Sequence, residues 1–157
     1  MSNPETTAAP AAEAQADQAP PSTKTGPGRL LVAIYGLFAL SATARAVTQI
    51  ATEFHRAPVA YVLSALAGVV YLVATVTLVN GSATARRIAF ASCSIELIGV
   101  LVVGTWSVLD KASFPDATVW STYGIGYGFV PLVLPLFGLL WLRRVSQVSQ
   151  VSQTQEG

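Results

Sequence analysis

The sequence predicts an all-α integral membrane protein: a bundle of four transmembrane helices with disordered tails at both ends. Three observations predict it. Hydrophobic residues make up 52% of the chain and charged residues 11%, too apolar and too sparsely charged for an ordinary soluble domain. Four apolar runs each approach the ~20 residues that a helix needs to cross a bilayer. Arginines gather at alternate ends of those runs, as the positive-inside rule requires.

Residues 1–28 are rich in Ala, Pro, Thr and Gln and lack apolar periodicity. They cannot bury enough surface to offset chain entropy, so a disordered tail is expected. The spans are expected at about 30–52, 58–79, 87–108 and 119–142. Pro58 suits the first turn of the second. "EFHRAP", "NGSATARR" and "DKASFPDA" read as the separators. Residues 145–157 repeat Val-Ser-Gln and read as a low-complexity tail, solvated or a frayed helix extension.

Lys24 and Arg29 precede the first span, Arg86 and Arg87 separate the second from the third, and Arg143 and Arg144 follow the fourth. Both termini and the middle loop are therefore expected in the cytoplasm, the protein sitting in the plasma membrane. Trp106, Trp120 and Trp141 fall near span ends, where aromatic belts belong. Ala42-Thr43-Ala44 fits a signal-cleavage pattern, but the preceding tail is long and holds Glu5, Glu13 and Asp17. The first span is read as retained.

A net charge of +1 without basic clusters argues against nucleic acid as a partner. One cysteine, Cys93, and one histidine, His55, cannot assemble a zinc site of the usual type. No metal, no cofactor and no catalytic constellation is expected.

"TYGIGYGF", residues 122–129, contains most of a potassium selectivity filter. A filter needs a full helix after its re-entrant loop, and only about 14 residues separate Gly128 from Arg143. The expected role is packing: Gly124 and Gly128 as a small-xxx-small pair in the fourth helix, with Gly68 and Gly99 serving the second and third. Pro131 and Pro135 are expected to bend the fourth helix and free carbonyls that need partners.

Arg45 and Glu96 fall inside spans, at about 2.5–3.5 kcal/mol each on insertion scales. Around Glu96, Ala89, Ser92, Cys93, Gly99 and Val103 form a small-residue face. Arg45 shares a stripe with Ser41, Ala42, Thr48, Gln49 and Thr52. Tyr61, Ser64, Gly68, Tyr71 and Thr75 form a third stripe, and Tyr127 completes the inward set. Arg45 lies roughly 24 Å above the inner end of its helix and Glu96 roughly 14 Å. Two arrangements follow. Either the two pair directly, or Arg45 meets Tyr61 or Tyr127 while Glu96 meets Tyr71 or Thr75.

The stretches "RLLVAIYGLFALSATARAVTQI", "APVAYVLSALAGVVYLVATVTL", "IELIGVLVVGTWS" and "VWSTYGIGYGFVPLVLPLFGL" resemble a family of small integral membrane proteins of actinobacteria, over about residues 29–142. The resemblance implies a four-span plasma-membrane protein and no particular activity. Size and span count also resemble small multidrug transporters, which carry their membrane glutamate in the first helix rather than the third. The leading expectation is a non-enzymatic accessory or assembly subunit of a larger envelope complex, with the bilayer and a membrane protein or a second copy as partners. The alternative is a small proton-coupled transporter using Glu96. A channel-like oligomer is the weakest class.

Overall fold

A computed structural model describes residues 26–155, with side chains described through Gln147. The expected tail at 1–28 lies almost wholly outside the described residues. Four helices follow in order: α1 Pro27–Glu53, α2 Pro58–Asn80, α3 Ala83–Leu109 and α4 Val130–Gln155. Two short 3-10 turns, Lys111–Ser113 and Ser121–Tyr127, lie between α3 and α4. No strand occurs among the described residues. α1, α2 and α3 are long and apolar enough to cross a membrane, and a fourth crossing results if α4 and the preceding turn count as one broken span.

Local chemistry sets the ends. Pro27 and Pro58 open α1 and α2 where a missing N–H costs nothing. Gly81, at φ 66°, closes α2 in the left-handed conformation and donates its N–H to Thr77. Ser82 caps α3 by accepting from the Ala85 N–H. α3 therefore starts at Ala83 rather than near Arg87, and Arg86 and Arg87 lie in its first turns.

α2 shows the division of faces best. Tyr61, Ser64, Gly68 and Tyr71 are buried, while Val62, Leu66, Val69 and Val76 are exposed, as a lipid-facing side requires. On α3, Ala89, Ser92, Cys93, Glu96 and Val103 turn inward and Ile98, Leu101 and Val102 outward. The α1 stripe is only partly internal: Ala42 is buried and Arg45 and Gln49 half-buried, but Ser41, Thr48 and Thr52 are exposed. Thr48 and Thr52 donate their hydroxyls to α1 carbonyls one turn back, which makes them tolerable there.

Gly68 lets α2 approach α1 closely. A Cβ there would lie 2.9 Å from Thr43 Oγ1 and 3.2 Å from the Thr43 amide nitrogen. Because part of that contact is backbone, Gly68→Val is expected to push the helices apart and cost about 1–3 kcal/mol. Thermal unfolding in detergent measures it; an unchanged melting temperature would contradict the close packing.

The fourth span differs most from expectation. It is not one helix over 119–142. The turn Ser121–Tyr127 and the helix after it meet at 98°. Thr122, Tyr123, Gly124, Gly128 and Phe129 all have positive φ, which no α-helix accommodates. Pro131 stands in the first turn of α4, where it starts the helix instead of bending it. Pro135 lies inside α4, but the break comes earlier, at the left-handed residues. Beyond Arg144 the repeats, read as a solvated tail or a frayed helix extension, continue α4 as helix to Gln155.

Candidate functional site

The segment from Asp110 to Phe129 folds into a cap at the end of the bundle opposite Arg29, Arg86, Arg87, Arg143 and Arg144. Asp110 accepts from the Ser113 amide and hydroxyl. These bonds hold its carboxyl below the usual range. Their contribution is therefore present above the ordinary aspartate pKa and lost as pH falls through the lowered one. Thr118 Oγ1 accepts the amides of Trp120 and Ser121 at 3.1 and 2.9 Å. Thr118 N–H donates to Ser121 Oγ at 2.9 Å, closing the turn. The Thr122 amide donates to Ser107 Oγ on α3 at 2.8 Å. Tyr123 lies so close to α3 that a Cβ on Gly104 would meet its amide nitrogen at 2.9 Å.

Trp120 drives the cap into the bundle. It is 2% exposed, not an interfacial belt residue as its position near a span end suggested. Its ring lies on the Cα of Gly99, where a Cβ would come within 2.8 Å of it. Its indole N–H donates to the Tyr71 hydroxyl at 3.1 Å. The Tyr71 ring in turn packs against that of Tyr35, 6.2 Å between centroids. Glu96 is wholly buried and its Oε2 accepts from the Tyr35 hydroxyl at 2.7 Å. Tyr35 also lies 3.3 Å from Cys93 Sγ. Gly138 on α4 closes the chamber, since a Cβ there would meet that sulfur at 2.9 Å. Trp120 of the cap, Tyr71 of α2 and Tyr35 of α1 thus form a chain of contacts that ends on the Glu96 carboxyl of α3.

Arg45 belongs to a second cluster nearer the cap surface. It donates to Gln49 Oε1 at 3.2 Å, to the Tyr127 hydroxyl at 2.9 Å and to the Ala117 carbonyl at 2.8 Å. Tyr61 donates to Asp116 Oδ2, and Asp116 also meets Arg56 at 3.4 Å. Both contacts hold the cap to α1 and α2. Of the two expected arrangements the direct Arg45–Glu96 pair is absent. The alternative is present in part: Tyr127 bonds Arg45, but the hydroxyl on Glu96 is that of Tyr35, with Tyr71 packed against its ring. Tyr61 instead serves Asp116, and the Thr75 hydroxyl bonds the Tyr71 carbonyl.

Gly124 and Gly128 are not a helix-packing pair. Both are left-handed, at φ 78° and 63°, and a Cβ on Gly128 would meet nothing within 4 Å. Their conformation, not their smallness against another helix, is what the turn uses. Nor does the turn present a filter's row of free carbonyls. The Gly124 carbonyl accepts from Phe129 and the Ile125 carbonyl from Gly128.

No known protein family, curated protein or solved structure matches the chain.

The carboxyl keeps one open valence. Glu96 Oε1 is buried without a hydrogen-bond partner. Among the described residues no group of three His, Cys, Asp or Glu side chains lies close enough to share a metal ion. Tyr35 was absent from the sequence-derived site. A tyrosine one turn above the start of an apolar run is a signal only once α1 is known to cross α3 at that depth.

Proposed function

We propose that this chain is a non-enzymatic multi-pass protein of the plasma membrane that works by association, as an accessory or assembly subunit of a larger envelope complex. One observation carries the reading: among the described residues, nearly all the surface left for a partner is the apolar side of the helices. α1 and α2 are joined by residues 54–57 and α2 and α3 by Gly81 and Ser82, while the longer third connection folds back onto the bundle. Leu37, Leu40, Val62, Leu66, Ile98 and Phe137, among others, face outward. The polar side chains inside hold the cap, which is what a rigid docking element needs. Purification of the full chain in mild detergent at native abundance is expected to bring down a larger membrane protein in fixed stoichiometry. Recovery of the chain alone, or as a homodimer, would contradict the reading.

A second reading rests on the open valence of Glu96, a proton-exchanging group at mid-depth in the bundle, as in a proton-coupled transporter. It predicts substrate-dependent proton release that Glu96→Gln abolishes while leaving the folded protein intact.

Both termini and the α2–α3 turn are expected on the cytoplasmic side. Single cysteines at Ser2, Ser82 and Ser113, in a Cys93→Ser background, test this in intact cells. An impermeant reagent should label only the Ser113 position. Labelling at Ser82 would invert the topology.

A further inference from the structure

We infer that the open seam between α1 and α4 is a binding site for an anionic phospholipid of the leaflet at the arginine-rich end. α1 and α4 touch at few points, and between them runs an apolar groove of about 420 Å³. That is within the range of about 300–1,000 Å³ typical of ligand pockets. Leu30 and Ile34 form one wall; Val133, Phe137 and Trp141 form the other. The groove's reach along α4, from Val130 to Trp141, is about 16 Å at 1.5 Å per residue. One leaflet of the hydrocarbon core is about 15 Å deep. An acyl chain is therefore the occupant whose length and chemistry match.

The headgroup follows from charge. Val133, Phe137, Trp141 and Arg144 recur at helical spacing, so Arg144 continues the groove face of α4 one turn beyond Trp141. Arg144 is exposed. Arg143 points elsewhere, its guanidinium 5.7 Å from the centre of the Phe90 ring on α3. Among the described residues this end of the bundle carries Arg29, Arg86, Arg87, Arg143 and Arg144 and no acidic side chain. A phosphate whose net charge is not cancelled by choline is the complement of such a rim.

Native mass spectrometry of the full chain, released from micelles holding equal phosphatidylglycerol and phosphatidylcholine, tests the assignment. The parent is expected to retain one lipid per chain, with phosphatidylglycerol preferred at least fivefold, about the gain one arginine gives near a membrane surface. Arg144→Gln should bring the preference close to one. Arg87→Gln, on the same rim but on α3, should leave it. Val133→Trp and Leu30→Trp, at exposed positions on opposite walls, should each abolish retention of either lipid while preserving the melting temperature in detergent. Equal retention of both lipids by the parent overturns the proposal. So does an equal loss in Arg87→Gln and Arg144→Gln, which would mark diffuse attraction to the rim. A dimer replacing the lipid adduct, and lost in Val133→Trp, would assign the groove to a second copy and overturn it as well.

Discussion

Trp120→Ala is expected to be the most damaging single substitution in the chain, at about 3–5 kcal/mol of stability. The ring is buried against Gly99, so its loss leaves a cavity between α2 and α3. It also removes the donor to the Tyr71 hydroxyl. No neighbouring chain can collapse into the space easily, because the cap's backbone is held by Thr118, Ser107 and Ser121. Trp106 is the control: 41% exposed and stacked edge-on with Phe114, it should cost about 1 kcal/mol or less beyond its lost ring contact. Thermal unfolding in detergent compares the two. Equal losses would show that Trp120 is no more than a surface aromatic.

The second large effect belongs to Glu96. Glu96→Ala takes the carboxylate acceptor from the Tyr35 hydroxyl and leaves it only the Cys93 sulfur, 3.3 Å away. Losing that bond in a buried place costs about 1–3 kcal/mol. Glu96→Gln keeps an acceptor oxygen for Tyr35 and should cost much less. A double-mutant cycle of Tyr35→Phe with Glu96→Ala is expected to give a coupling of about 0.6–1.7 kcal/mol, the range of hydrogen bonds between membrane helices. A cycle of Arg45→Ala with Glu96→Ala is expected to give less than about 0.5 kcal/mol, because the two groups share no partner. A strong Arg45–Glu96 coupling with none between Tyr35 and Glu96 would reverse that assignment.

The helical hairpins were legible in the sequence because apolar run length, Pro at helix starts and the Asn-Gly-Ser turn are all local signals. So were the inward faces of α2 and α3, whose periodicity survives into the structure. The direct pairing of Arg45 with Glu96 was one of two arrangements that depth alone allowed. It failed because depth along a helix does not show that the cap supplies Arg45 with a carbonyl and a tyrosine. The break in the fourth span was hidden for a different reason. Residues 119–142 carry no charged side chain, which favours reading them as one span, and left-handed conformations at Thr122 and Tyr123 have no signature in residue type. Only the glycines hinted at it, and spacing by four assigned them to packing. Trp120 was misread because a tryptophan near the end of a span usually marks the interface; here the chain turns back and carries it inward.

The cap is fastened into the bundle through Trp120 and Tyr71, which packs against Tyr35, the donor to Glu96. The most direct measurement is the rate at which an impermeant maleimide labels a cysteine at Ser121, which is buried, against one at Gly126, which is exposed, both in a Cys93→Ser background. The Ser121 position is predicted to react at least tenfold more slowly than the Gly126 position, and Trp120→Ala to erase most of that difference. Equal rates at the two positions in the otherwise intact protein, or protection at Ser121 unchanged by Trp120→Ala, would contradict it.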